Sequence, residues 1–222
     1  MGQITLICGA YCSDRSDRID ALWREHWGHA LLLTPTRRLA RQRQEAYVRK
    51  NALPGIWGNR AYELTAFAAR LLEMSGARVR MVSRMERRLM VRQLLEKLAE
   101  DKTLPQFDIT PGLIKHLLQL ITQLKQAAVE PAMFRNIMTS GAGVTDVDLF
   151  AAAVYEQYQD ALLAGQYYDV PGLYWAAESH CKQEVVALPE NAEVLLLDEF
   201  DDFTPSQQRF MECLSHHVSS LV

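Results

Sequence analysis

The sequence predicts an α/β fold, a parallel sheet flanked by helices and interrupted by a large all-α insertion. Three observations carry this expectation. First, two strand–loop–helix units stand in tandem at the start: Ile4–Cys8 leads into a helix ending near His26, and Ala30–Leu33 into one ending near Lys50. Such alternation marks parallel βαβ architecture. Second, about 100 residues then carry helical periodicity without a convincing strand. Third, Glu193–Leu197 returns as a buried strand before a further helix. The expected division is an α/β domain from residues 1–78 and 186–222 around a helical insertion over 79–185.

Each element has a local reason. Ile4–Cys8 is a short apolar run closed by Gly9, and Ser13 or Asp14 caps the helix that buries Ile19, Leu22 and Trp23. Ala30–Leu33 is broken by Thr34-Pro35-Thr36, and the next helix turns Leu39, Ala40, Ala46 and Tyr47 inward. A third strand over Ala61–Leu64 feeds the helix Thr65–Ser75, which ends at Gly76. The insertion opens with Ser83–Glu100, whose apolar stripe is Met85, Leu89, Met90, Leu94, Leu95 and Leu98. Thr110-Pro111 starts the next helix, to Ala128, with Pro at the first helical position. Pro131–Thr139, Asp146–Ala164 and Val170–Cys181 follow, and Pro189-Glu190-Asn191 closes the insertion. After Glu193–Leu197 come a helix over Pro205–Leu214 and the start of a strand over His216–Val222. A strand reaching the last residue suggests a fragment of a longer protein.

Composition narrows the class. The 222 residues are 49% apolar and 23% charged, ordinary globular values that exclude a disordered chain, a collagen-like repeat and a disulfide-stapled miniprotein. Cys8, Cys12, Cys181 and Cys213 form no C-x-x-C pair, which suits reducing surroundings. The N-terminus lacks a basic n-region, Leu6 breaks the myristoylation pattern, and no apolar run approaches the roughly 20 residues that span a bilayer. A soluble cytoplasmic protein without a membrane partner is expected. The net charge of −3 is segregated. Residues 1–111 hold 19 Lys/Arg against 12 Asp/Glu, and residues 112–222 hold 5 against 15. The basic residues cluster as Arg37, Arg38, Arg41, Arg43, Arg49, Lys50 and as Arg78, Arg80, Arg84, Arg87, Arg88, Arg92. This permits an anionic partner, although an exposed helix face laced with Arg is the commoner explanation.

Chemistry concentrates where strands meet loops. A hydrophobic strand ending in Asp198-Glu199 is how phosphate-handling α/β proteins set a magnesium-holding carboxylate beside a water-activating one. The pair alone is equally compatible with an acidic loop. Gly9-Ala-Tyr-Cys-Ser-Asp14-Arg15-Ser16 has the spacing of G-x-x-x-x-G-K-[ST], with Asp14 for the second Gly and Arg15 for the Lys. Asp14 puts a side chain and a negative charge where phosphates would lie, while Ser16 keeps the hydroxyl that would touch magnesium. This reads as a phosphate loop that has lost its nucleotide, or as an unrelated strand–loop–helix. Thr34-Pro35-Thr36 presents hydroxyls and backbone N–H groups at a helix N-terminus, with Arg37 and Arg38 adding charge, a geometry suited to nucleic-acid phosphate. For Arg41, Arg43, Arg49 and Lys50 a solvated face is the simpler reading.

In this order the pieces resemble the N-terminal part of a superfamily 1 (UvrD-like) helicase, and more closely the AddB-type subunit of bacterial AddAB helicase–nucleases. The resemblance spans nearly the whole chain. Gly9–Ser16 stands at the phosphate-loop position, and Thr34-Pro-Thr-Arg-Arg-Leu-Ala at the DNA-contacting motif after the second strand. Glu63-Leu-Thr-Ala-Phe-Ala-Ala-Arg-Leu-Leu, Tyr167-Tyr-Asp-Val-Pro-Gly-Leu-Tyr and Leu197-Asp-Glu-Phe-Asp-Asp-Phe-Thr-Pro-Ser-Gln match later ones. The resemblance implies a partial RecA-like (P-loop NTPase) sheet. It makes Asp198 and Glu199 the Walker B-like acidic pair, Asp198 holding magnesium if nucleotide binds. Thr36, Arg37, Arg38 and Thr65 become DNA contacts, and Gly9, Arg15 and Ser16 remnants of the nucleotide site. The Gly-Lys pair, an adenine-reading Gln segment, a second RecA-like lobe and a nuclease domain are all missing from these 222 residues. ATP hydrolysis by this chain is therefore not expected, nor a bound cofactor. The parent would be an ATP-dependent exonuclease or helicase subunit acting in double-strand-break repair and recombination. Its partners would be DNA, as a single strand or a duplex end, and a helicase–nuclease subunit.

Other candidates carry less. His26-x-x-His29 and His216-His217 lack further ligands at metal spacing. Trp23, Trp27, Trp57 and Trp175 have the chemistry to stack on bases, yet Trp at helical spacing is usually core. Two other functions stay open: a live ATP-binding module with Arg15 standing for Lys, and a protein-interaction scaffold for a partner helicase subunit.

Overall fold

The computed structural model describes residues 3–5, 15–56, 58–100, 108–140, 143–183 and 186–222. It is an α/β protein that divides into two compact units. The first comprises Met1–Ala77, Leu173–Phe203 and Gln207–Val222, and the second Arg78–Gly172 with Thr204–Ser206.

The first unit is built on a five-stranded sheet of β1 (Gln3–Ile4), β2 (Ala30–Thr34), β3 (Ala61–Glu63), β6 (Val194–Leu197) and β7 (Ser220–Leu221). The strand order is β1-β7-β6-β2-β3, and every described pairing is parallel. All five residues of β2 are buried, as expected of a central parallel strand covered on both faces. Successive side chains alternate between faces. Ala30 and Leu32 join Val194 and Leu196 in one core with Ile19 and Trp23 of α1 (Arg15–Glu25) and Ala40 and Tyr47 of α2 (Arg37–Lys50). Leu31, Leu33 and Leu195 are buried on the other face. There α3 (Leu64–Met74) packs on β2, and Phe67 of α3 meets Phe210 of α9 (Pro205–Leu214). Phe210 in turn meets Tyr174 of α8 (Val170–Gln183).

Two expectations for this unit are corrected. Gln3, Ile4 and Thr5 are exposed, with Ile4 at the sheet edge rather than in a buried strand; Leu6 to Asp14 lie outside the described residues. The last strand is confined to Ser220–Leu221, because the backbone of His216 and His217 still turns onto Cys213 and Leu214.

The second unit holds α4 (Arg84–Ala99), α5 (Pro111–Gln126), α6 (Pro131–Ser140) and α7 (Asp146–Ala164). Its core gathers Val91, Leu95 and Leu98 of α4 with Leu117 and Ile121 of α5, Phe134 of α6 and Tyr155 and Tyr158 of α7. Capping sets the boundaries: Ser83 with Glu86 and Thr145 with Asp148 form capping boxes, and Thr110 caps α5 with Pro111 at its first turn. The Met85–Leu98 stripe is corrected in part. Met85 and Leu89 are 63% and 52% exposed, and Val91 is buried instead. Arg87 decides this rotation: its Nε donates to Tyr158 Oη at 2.9 Å and its Nη2 to Thr122 Oγ1 at 2.8 Å. That holds the Arg87–Val91 face inward and turns Met85 and Leu89 to solvent. A second sheet, β4 (Arg80–Met81) paired in parallel with β5 (Tyr167–Tyr168), also escapes sequence reading, since two residues show no alternation. Among the described residues no helix is long and apolar enough to cross a membrane.

Candidate nucleic-acid interface

Parallel pairing brings the two most distinctive motifs together. Leu33 of β2 lies in register with Leu197 of β6, and the Asp198 N–H donates to the Leu33 carbonyl at 3.0 Å. Thr34-Pro35-Thr36 and Asp198-Glu199 therefore leave the sheet side by side at its carboxyl edge, where open α/β sheets place ligands. Buried Thr34 donates its hydroxyl to the Thr36 carbonyl at 3.0 Å, tightening the loop. Thr36 then caps α2, its Oγ1 accepting from the Leu39 N–H at 3.3 Å. Arg37 and Arg38 follow in the first turn, both exposed and, among the described residues, without a carboxylate partner. Arg37 also lines a cleft of about 730 Å³ of mixed charge, with Arg41 and Arg70 and with Glu45, Glu63 and Glu73.

The acidic pair is arranged differently from a free metal site. Asp198 is only 7% exposed, and its Oδ2 lies 2.9 Å from Nε of Arg43. Nη2 of the same guanidinium lies 2.9 Å from Asp20 Oδ1 on α1. The N–H directions miss the oxygens, so these are charge contacts rather than aligned hydrogen bonds. Lys50 continues the chain of charge, 3.2 Å from Asp20 and 3.4 Å from Asp17. Burial pushes the Asp198 carboxyl above its ordinary range; Arg43 opposes this, while Glu199 and Asp20 add to it. The solvated-face reading is thus corrected for Arg43, which is 15% exposed, whereas Arg41 forms an open surface pair with Glu45. The signal was present in the sequence: Arg43 shares a helical stripe with Ala40 and Tyr47, both buried.

Glu199 is exposed, and its φ of 59° is left-handed, at a cost of about 1 kcal/mol for a residue with a Cβ. Arg15 and Ser16 occupy the first turn of α1, exposed and half-buried respectively, and Gly9 lies outside the described residues. Among the described residues, Asp198 Oδ2 is not open to a magnesium ion. A hydrated magnesium ion needs carboxylate oxygen open to it, and Asp198 Oδ2 already faces a guanidinium. Among the described residues no group of three or more His, Cys, Asp or Glu could hold a metal. Thr65, at the second residue of α3, shares a hydrogen bond of 2.9 Å with the Tyr174 hydroxyl. Trp27 stacks on Tyr47 and Trp23 packs against it at a tilt, so both are taken up in packing; Trp57 lies outside the described residues. His217 is engaged with the Cys181 carbonyl at 2.8 Å. Phe200 and Phe203, which sequence reading passed over, stack at 4.7 Å just beyond the acidic pair.

The sequence model of the family described as ADDB, N-terminal, matches residues 16–222. The chain belongs to that family. It is thus the N-terminal region of an AddB-type subunit, which sets it within a multi-subunit AddAB-type DNA repair complex and implies a partner subunit. A comparison with curated proteins gives no match.

Proposed function

We propose that this AddB-type chain is a helicase-like, RecA-related DNA grip that holds nucleic acid without hydrolysing ATP. One observation carries the reading: a single helix divides its cations between two tasks. α2 leaves Arg37 and Arg38 open at its capped N-terminus and commits Arg43 to Asp198. Backbone N–H groups, the helix dipole and two exposed guanidiniums favour a phosphodiester there. Thr36 supplies a hydroxyl beside them, and Thr65 acts from α3, steadied by Tyr174. The all-parallel sheet, with both motifs at its carboxyl edge, supports kinship with P-loop folds. The Asp198-Glu199 pair is a relic whose metal-facing oxygen has been taken over by Arg43, and Gly9, Arg15 and Ser16 are relics with it.

Calorimetric titration with MgATP, together with phosphate release in the presence and absence of single-stranded DNA, tests the reading. The expected result is no saturable MgATP binding and no DNA-stimulated release. DNA-stimulated release would overturn it in favour of a live ATPase module.

A further inference from the structure

The helical unit contains a second concentration of charge that the α2 site does not use. Between α4 and α5 lies a cleft of about 290 Å³ lined by Arg84, Arg87, Arg88, Lys115, Gln119 and Gln123, and among the described residues neither Asp nor Glu lines it. The flanks of α4 are charge-paired, Arg80 with Glu86 and Arg92 with Glu96. Arg84, Arg88 and Lys115 have no carboxylate partner among the described residues. Arg87 is fixed as well as charged. It spends two of its five N–H donors on Tyr158 and Thr122, both uncharged acceptors, so its charge is not neutralised and three donors remain. Four like charges set along one cleft, with no counter-charge among the described residues, repel one another, and a one-sign cleft concentrates anions.

The donors run in rows rather than meeting at a point. Arg84 and Arg88 are one step of four apart on α4, as are Lys115, Gln119 and Gln123 on α5, which spaces each row at about 6 Å. That interval is comparable with one nucleotide of an extended single strand. A compact anion would be served by convergent donors instead, whereas rows of cations flanked by Gln amide donors suit a chain of backbone phosphates.

We propose that the α4/α5 cleft is a second nucleic-acid backbone site, taking consecutive phosphodiesters of a single strand. It stands on the helical unit alone and does not depend on the α2 site. The test is fluorescence anisotropy of a labelled single-stranded oligonucleotide with the full chain across a salt series. Replacing Arg84, Arg88 and Lys115 together by Ala removes three phosphate contacts and lowers the slope of log K against log salt by about 2. Arg87 is left intact because it also holds α4. Should the triple variant melt early, Lys115→Gln alone lowers the slope by about 0.7. Inorganic phosphate at matched ionic strength does not displace the strand. An unchanged slope in a folded variant, equal displacement by polyglutamate, or no oligonucleotide binding by the native chain at low salt overturns the proposal. If the slope falls for Arg37→Ala/Arg38→Ala but not for the α4/α5 variants, this site fails and the α2 grip stands; the reverse pattern removes the grip and keeps the cleft.

Discussion

Arg43 Nε lies 2.9 Å from Asp198 Oδ2, so the carboxylate at the end of β6 is matched by a cation from the protein's own α2. The same guanidinium touches Asp20, making Arg43 the shared counter-charge of two poorly solvated carboxylates. Arg43→Ala leaves Asp198 unpaired, while Asp20 keeps Lys50, and should cost about 3 kcal/mol, the scale of breaking a buried ion pair. Urea unfolding measures this. Adding Asp198→Asn to Arg43→Ala should recover part of the loss, because the variant then buries no lone charge at that position.

Lys125 and Asp169 form the corresponding pair in the helical unit, 2.7 Å apart and 0% and 1% exposed. Burial holds the Lys125 ammonium below its ordinary range, and Asp169 pulls it back. Asp169 also accepts from the Tyr158 hydroxyl and from the Gly172 N–H, and Lys125 donates to Gln159. Lys125→Met should destabilise the chain by about 3 kcal/mol, since Asp169 then keeps its charge without its cation. Lys125→Met with Asp169→Asn should be milder than Lys125→Met alone, and a double-mutant cycle on denaturation midpoints decides it.

Stability should respond to acid in two opposite ways. Hydrogen bonds from Ser83 and Thr145 hold the Glu86 and Asp148 carboxyls below their ordinary values. Their contribution is present above those ordinary values and is lost as pH falls through the lowered folded ones. Asp198 is shifted the other way by burial, so its penalty is present above its folded pKa and is relieved as pH falls through it. Thermal melts across the carboxylate range should show Glu86→Gln and Asp148→Asn flattening the acid loss, and Asp198→Asn steepening it.

Much of this was legible in the sequence because periodicity and capping are local. Thr110-Pro111 and Asp146–Ala164 mark their helices in composition alone, and the parallel sheet follows from alternating strands and helices. The failures are long-range. Nothing near Met85 reveals that Arg87 will bind Tyr158 and Thr122 and rotate α4. The two-residue strands β4 and β5 exist only through each other. At the site, Asp198 was readable as an acidic motif, but its pairing with Arg43 depends on how α2 lies against β6.

Thr65 tests how much the α3 motif contributes. Thr65→Val keeps the side-chain shape and removes the bond to Tyr174, which should cost about 1 kcal/mol of stability. Single-strand affinity should fall only a fewfold, less than on loss of Arg37 and Arg38, as measured by anisotropy at fixed salt.

The most direct measurement is the salt dependence of single-strand binding for the native chain and for Arg37→Ala/Arg38→Ala. Both side chains are exposed and outside the core, so the fold should survive the change. Loss of two phosphate contacts should lower the slope of log K against log salt by about 1.4 and weaken binding at every salt concentration. A variant that binds with the native slope and affinity would contradict the α2 grip.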